Sequence, residues 1–545
     1  MIYTNQLGYL PSSNKIAVST VPCNYQVIDA TTQKSVLDGS VGTAIEDKSA
    51  GENVYHIDFS NLTTPGDYYI LAGNGGKSHV FSIRDDIYDK LITDISRCLY
   101  YQRCGCGLDE EHAGIYKRPV CHTEPSIMLS DYLSKKADAK KYDMTGGWHD
   151  AGDFGRYVSA GAVAVAHILY AYDLFPETLG YGMNIPESGN GIPDILNECA
   201  YELKWMLKMQ APDGGVYHKL TAFNHADFIM PEQDLDQFII FPVASFTTAD
   251  FVAVMALASR IYKEFMPEFS IDCLNAAKRG AEWLSNNSYI AFKNPDGCNT
   301  GEYDDDDDLD ERIWAASEML RVDPDNKDKY LVTIKELLLE NISMTDFGWT
   351  DVSGMAALSI LTDPKHTSGI FEANVKHTVL LESSRLYNEL KNSGYQLGML
   401  PDDFVWGSNM VVANRAILFA LASIIADDTV KPKYEQAVED HLHYLLGRNP
   451  LDISYITGFG ENAFRHPHNR VTEMDGIDAP MPGWVSGGPF KTPCDPAAEA
   501  AIPKGTAPMK CYVDDVGSYS TNEITIYWNS PVIFMLAFIK STHSK

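Results

Sequence analysis

A chain of 545 residues is too long for one small hydrophobic core, so one to three domains are expected. Its 45% apolar and 21% charged residues are those of a globular protein, and its net charge of −31 excludes nucleic acid and anionic membranes as partners while admitting neutral or cationic ones. No window holds a run of apolar residues long enough to span a bilayer, and Met1–Leu10 lacks a basic stretch followed by an apolar one. Neither a transmembrane helix nor a signal peptide is therefore expected; as written the chain would stay in the cytosol, and as a trimmed mature form it would be secreted.

Residues 1–84 carry short runs rich in β-branched and aromatic residues: Lys15–Thr20, Tyr25–Ala30, Val54–Phe59, Asp67–Gly73 and His79–Ile83. Turn signals such as Pro11–Asn14 and Thr64–Asp67 separate them, which predicts a small β-sandwich. From about residue 86 the apolar period becomes helical. Twelve stretches of helical length lie near 88–103, 155–175, 193–210, 247–265, 270–287, 310–321, 327–341, 352–362, 372–391, 408–427, 431–447 and 525–541. Long loops at 104–150, 211–246, 288–309, 395–407 and 448–524 separate some of them, and such loops on a helical scaffold usually carry function. Twelve helices joined this way suit a toroid of paired helices with a cleft at one end. No short fixed repeat points to a solenoid.

The ten cysteines are too dispersed for a disulfide scaffold. Cys23, Cys98, Cys199, Cys273, Cys298, Cys494 and Cys511 read as buried thiols. Cys104, Cys121, His122 and His149 form a Cys₂His₂ set suited to a closed, structural zinc site, with Cys106 competing for the place of Cys104. Free thiols and surface histidines are the other reading of the same residues. Asp304–Asp308 is an unbroken acidic run, which is either a solvated loop or an oxygen-rich site for calcium.

Two segments carry paired or sheltered acids. In Gly146–Phe154 (GGWHDAGDF), Asp150 and Asp153 lie three apart, and the glycines let the backbone turn so that both can point into one cleft. The same pattern also fits a turn with Asp153 capping a helix. In Tyr512–Ser530, Glu523 lies among Tyr519, Ile524, Ile526, Tyr527 and Trp528. Apolar surroundings favour a protonated carboxyl, as a general acid requires; a Glu in a first helical turn is the plainer alternative. His468 and Arg470 sit in a Gly- and Pro-rich loop and can donate to sugar hydroxyls.

These motifs resemble glycoside hydrolase family 9, the family of many bacterial and plant cellulases. Tyr512, Asp514, Tyr519, Glu523, Thr525, Asn529 and Ser530 match one family signature, and His468-x-Arg470 after Leu445–Pro450 resembles the other. Gly146–Asp153 resembles the base motif, with His149 where many members carry Tyr. The resemblance spans the whole chain, because one subgroup begins with an immunoglobulin-like domain. It implies a mainly α fold, with an immunoglobulin-like sandwich at 1–84 and an (α/α)₆ barrel at 86–545. It also implies an inverting mechanism in which Glu523 is the general acid, Asp153 the general base and Asp150 the holder of the nucleophilic water. His468 and Arg470 would bind the sugar at the cleavage point. The subgroup shifts the Cys₂His₂ set towards zinc, and it suggests calcium on Thr300, Glu302 (through its carbonyl), Asp305, Asp306 and a distant Asp346. A second calcium near Ser188–Asp194 has no comparable ligand count.

The expected substrate is a β-glucan or its oligosaccharides, cut by a monomer. Trp349, Trp406 and Trp484 are candidate sugar platforms beside Tyr519, with Trp406 the first choice. An endo-acting β-1,4-glucanase is the leading reading. An exo-acting cellodextrinase or exo-β-glucosaminidase is the alternative, and a catalytically inactive carbohydrate-binding protein is the reading outside enzymes.

Overall fold

The computed structural model describes residues 1–543 apart from positions 74, 341, 366 and 370, so the last position of the stretch expected at 327–341 lies outside the described residues. The chain divides into two compact units. One comprises Met1–Cys98, Leu381–His468 and Asp478–Lys545; the other comprises Leu99–Leu380 and Asn469–Ile477.

In the first unit, nine strands form two sheets. One has the order β1 (Ile2–Tyr3), β3 (Ile16–Ser19), β7 (Glu52–Asp58), β6 (Ile45–Asp47). The other runs β2 (Gly8–Tyr9), β9 (Phe81–Ile83), β8 (Gly66–Ala72), β4 (Asn24–Asp29), β5 (Ser35–Ser40). All five expected strands are present. The four others were too short or too polar to read, as in β5, whose SVLDGS is largely exposed. Tyr9, Val27, Ile57, Phe59, Ile70 and Phe81 fill the space between the sheets. Asp47 fastens this domain to the loop before Gln396: its Oδ2 accepts from Ser393 Oγ at 2.9 Å and from the N–H of Gly394 at 2.9 Å. His56 bonds the carbonyl of Gly394, and Asn5 meets His443 at 3.0 Å. In the same unit the helices Ser408–Ile425 and Ile526–His543 pack together, with Lys431–Leu445 against both. Ser408–Ile425 is long and apolar enough to cross a bilayer, yet it is mostly buried in protein, as a core helix is.

In the second unit, Val158–Leu174, Ser245–Ile261, Leu309–Val322 and Ser353–Leu361 pack side by side in chain order. Almost every residue of the first two is buried, so their apolar character runs all round. The more amphipathic Asp194–Lys208, Pro267–Asn286 and Lys327–Leu337 cover the first three from outside. With Asp89–Tyr101 and Phe371–Asn392, all twelve expected stretches are helices. A small sheet of order β10 (Ile127–Met128), β13 (Ile239–Ile240), β12 (Lys219–Thr221), β11 (Arg156–Tyr157) sits where the long loops meet the helices.

Candidate active site

The segment 146–155 is held rigidly. Gly146 and Gly147 adopt φ of 106° and 77°, and a side chain on Gly147 would meet the Trp205 ring at 2.7 Å. Only glycine fits there. Trp148 donates its backbone N–H to Glu202 at 2.6 Å and its indole N–H to Glu198 at 2.8 Å. Gln102 Nε2 reaches the carbonyl of Ala151 at 2.7 Å, and Arg470 reaches that of Gly152 through Nη1 at 2.9 Å. The helix that follows starts at Val158, so Asp153 is not its cap.

Cys104, Cys121, His122 and His149 bring one ligand atom each to within 4.8 Å of all the others. Cys104 Sγ lies 3.6 Å from His122 Nδ1, and Cys121 Sγ lies 3.9 Å from His149 Nε2. A tetrahedral ion with S and N ligands has edges of roughly 3.3–3.8 Å. Cys106 is outside the group. Burial holds His149 down at about 4, so its imidazole is neutral, as a ligand must be. The neighbouring Cys104, with His122 and His149, holds Cys121 far below the usual thiol range, while burial pushes the Cys104 thiol up. Outer partners are in place: His122 Nε2 meets Asp234 at 3.2 Å, and Arg118 Nη1 donates to Cys121 Sγ at 3.2 Å. His122 itself has a φ of 48°, a left-handed conformation held by these contacts. The set thereby braces His149, the residue before Asp150.

The two aspartates are buried but differ in charge. Burial pushes the Asp150 carboxyl well above the carboxylate range, and the nearby Asp153 adds to this. Its Oδ2 accepts the Tyr303 hydroxyl at 2.5 Å, and its Oδ1 has no protein partner. Burial also opposes charge on Asp153, but His225, Arg470 and the Gly155 N–H outweigh it and hold that carboxyl well below the usual range. Two acids driven apart in this way take different roles in proton transfer. Lys219 lies close by, paired in register with Tyr157. Its ammonium is caged by Asn294 Oδ1 at 2.7 Å, Thr300 Oγ1 at 3.0 Å and the Gly301 carbonyl at 2.6 Å, and burial lowers it to about 8.

In the first unit, Glu523 sits in extended backbone between the short helix Tyr519–Asn522 and the helix Ile526–His543, outside either. Backbone bonds hold it. Gly487 N–H donates to the Glu523 carbonyl at 2.9 Å, and His468 N–H donates to that of Asn522 at 2.9 Å. Asp514 accepts the N–H groups of Arg465 and His466, each at 2.8 Å, tying the two signature segments together. Tyr519 lies with its ring 5.4 Å from that of Trp406 and 5.9 Å from that of His468. Trp406 is 43% exposed, as a sugar platform needs to be. Trp349, in the second unit, is half-buried and sets its ring 4.9 Å from Tyr303.

Several expectations are corrected. Trp484 is fully buried and belongs to the core. Arg470, expected at the sugar, also clamps two loops, donating from Nη1 and Nε to the carbonyls of Gly152 and Ala226. Cys494 is exposed, and Cys23 and Cys298 are only half-buried. Around the expected calcium set, Lys219 donates to Thr300 Oγ1 at 3.0 Å and His218 bonds the carbonyl of Glu302 at 2.8 Å. Asp306 and Asp346 are exposed, whereas Asp305 faces Asp310, and burial pushes it up to about 7. In the Ser188–Asp194 loop, Asp194 Oδ2 accepts from the N–H groups of Gly182 and Met183, and its Oδ1 is buried without a protein partner. Sequence reasoning missed His225, Tyr303 and Lys219. Each is a lone residue on a distant segment, without a motif to mark it.

The family profile described as Glycosyl hydrolase family 9 matches residues 88–536, and that of the cellulase N-terminal ig-like domain matches residues 1–77. A cellodextrinase of Butyrivibrio fibrisolvens is 41% identical, covering 99% of each chain. The crystal structure of a single-mutant endoglucanase from Alicyclobacillus acidocaldarius superposes with a TM-score of 0.91 at 33% identity, covering 99% of both chains. That of a Zn-binding triple mutant of the family 9 endoglucanase J30 gives 0.90 at 30% identity, covering 97% of this chain and 99% of that one. The chain belongs to glycosyl hydrolase family 9, with an (α/α)₆-barrel catalytic domain preceded by an immunoglobulin-like domain, and it is a hydrolase of cellulose-type β-glucan.

Proposed function

We propose that this chain is an inverting hydrolase of β-1,4-glucan oligosaccharides, with Asp153 as base, Asp150 as the holder of the water and Glu523 as the acid. The observation that carries this reading is the split between the two buried aspartates. Asp153 is kept ionised and ready to take a proton. Asp150 is kept towards its neutral form, with Oδ1 buried and unpartnered, an acceptor left for water. Water loses a proton to Asp153 as its oxygen attacks the anomeric carbon. Glu523 gives a proton to the leaving oxygen, and the configuration inverts. Inversion requires roughly 6.5–9.5 Å between acid and base carboxyls, room for one water.

Cellodextrins are the proposed substrate because a cellodextrinase is similar over the full length of both chains. Endo cleavage of longer glucan is the second reading, favoured by the similar solved structure of an endoglucanase. Chromatography of early products from cellohexaose and carboxymethyl cellulose separates them. Release of glucose or cellobiose from one end, with little loss of polymer viscosity, supports the first. A spread of internal products with a rapid fall in viscosity supports the second, and no product from either substrate contradicts both.

We further propose that the Cys₂His₂ set holds one zinc ion, supported by its donor chemistry and spacing. With four protein ligands the ion has no open position, so its part is to fix His149 beside Asp150. About one equivalent of zinc per chain by elemental analysis is expected.

A further inference from the structure

His225 lies on the loop between β12 and β13, and the mechanism above gives it no part. Its Nδ1 is 3.1 Å from Oδ2 of Asp153. The loop that carries it is pinned on both sides. His225 N–H donates to Asn299 Oδ1 at 2.8 Å, Asn299 N–H donates to the Phe223 carbonyl at 3.2 Å, and Arg470 Nε donates to the Ala226 carbonyl at 2.9 Å. With anchors two residues before and one residue after it, the ring is delivered to the carboxylate by the fold. Asp153 Oδ2 also accepts the Gly155 N–H at 3.2 Å.

The other charged or titratable groups near Asp153 include Asp150, Arg470, Lys219 and Tyr157, and Asp234, which bonds His122, lines the same cavity. None of these replaces His225 as a donor. Arg470 bonds the carbonyls of Gly152 and Ala226, Lys219 bonds the 294–301 segment, and the Tyr157 oxygen accepts the Gly301 N–H at 2.9 Å. A carboxylate otherwise turns broadly about its last torsion. Two donors on one oxygen stop that rotation and define which oxygen stays open.

We propose that His225 is a positioning residue for hydrolysis: it holds Oδ2 of Asp153 so that Oδ1 is presented to the attacking water. The inference rests on Asp153 being the base. Fixing a reacting oxygen removes orientational freedom that would otherwise be lost in the transition state. An N–H donor also favours the ionised carboxylate, so removing it raises the pH at which the base becomes protonated.

The test is steady-state hydrolysis of cellotetraose across pH by the full-length wild type, His225→Leu, His225→Asn and Asp153→Asn, with melting temperatures to check folding. For His225→Leu, kcat falls about 10–100-fold with KM within about twofold, the size expected for losing an orienting partner. The acid limb of kcat/KM moves up by about one pH unit, in the range of one lost hydrogen bond to a charged group. His225→Asn, whose amide N–H lies near the place of Nδ1, recovers most of kcat and the original limb. A folded His225→Leu enzyme with wild-type kcat and an unmoved limb, beside an inactive Asp153→Asn, overturns the role of His225 alone. An active Asp153→Asn enzyme overturns the base assignment and the inference with it. If His225→Leu fails to fold, a His225→Asn enzyme with lowered kcat and the limb of a protonation-prone base also overturns the positioning role.

Discussion

The segments 146–155 and 512–525 each present acids of the proposed mechanism, but different chemistry holds them. The first is fixed by side chains: a Cys₂His₂ cluster at His149, Tyr303 on Asp150, His225 on Asp153 and the Arg470 guanidinium on Gly152. The second is fixed by backbone bonds to Gly487 and His468, by Asp514, which accepts two N–H groups and the Asn522 amide, and by Asp495, which accepts from Ser518 Oγ and the Ser520 N–H. A base must sit at a defined charge, and side chains that donate or withhold protons can set one. On the proposed mechanism, segment 146–155 is expected to respond to metal loss and to pH through the groups around His149 and Asp153.

Removing either proton-transferring group gives the largest effect. Asp153→Asn and Glu523→Gln are each expected to lose about 10²–10⁴-fold in kcat with the fold intact, by initial rates on cellotetraose and by circular dichroism. Wild-type turnover in either variant would reassign that role. Next is loss of residues 1–84, which removes the Asp47, His56 and Asn5 contacts and uncovers apolar surface. An aggregating or inactive protein is expected by size-exclusion chromatography and assay; a monodisperse truncation with full activity and an unchanged melting temperature would contradict it.

Cys121→Ser sharpens the contrast between the segments. It should lose the metal and about 10–100-fold in activity, and fluorine labels placed in each segment should report a change near 150 but not near 523. Equal disturbance at both would break the comparison. Asp514→Ala acts in the opposite sense. It removes the acceptor of the Arg465 and His466 N–H groups and of the Asn522 amide; because the two N–H groups face solvent, the cost is about 0.5–1.5 kcal/mol per hydrogen bond, read by urea denaturation, with no shift in the acid limb.

The smallest effect concerns His79. A hydrogen bond to Asp452 at 3.1 Å, against the opposition of burial and with help from Glu461 at 2.9 Å, raises its imidazole to about 9. The folded value lies above the unfolded one of roughly 6.5, so this stabilisation is complete below that pH and is lost as pH rises towards 9. His79→Gln should lower the melting temperature slightly at pH 6 and leave it unchanged at pH 10.

Much of this was legible in the sequence. Helical periodicity located the twelve long helices among the described residues, because a helix buried all round or on one face still repeats its apolar residues at a fixed interval. The Cys₂His₂ set was legible because thiol and imidazole have few other reasons to gather. The failures have a common cause: sequence shows which groups exist, not which partners they already have. The run Asp304–Asp308 shows five acids but not that Lys219 and His218 bond oxygens of Thr300, Gly301 and Glu302 beside them. Trp484 looked like Trp406 until burial distinguished them. His225 and Tyr303 carry no local signature, since their importance comes from loops that the chain brings back onto 150 and 153.

The proposed chemistry is tested most directly by the configuration of the first product. Time-resolved proton NMR of cellotetraose during the first turnovers should show the α-anomer at the newly formed reducing end before mutarotation, as water activated by Asp153 attacks from the face opposite the leaving group. Initial appearance of the β-anomer would contradict single displacement and the roles given to Asp150 and Asp153.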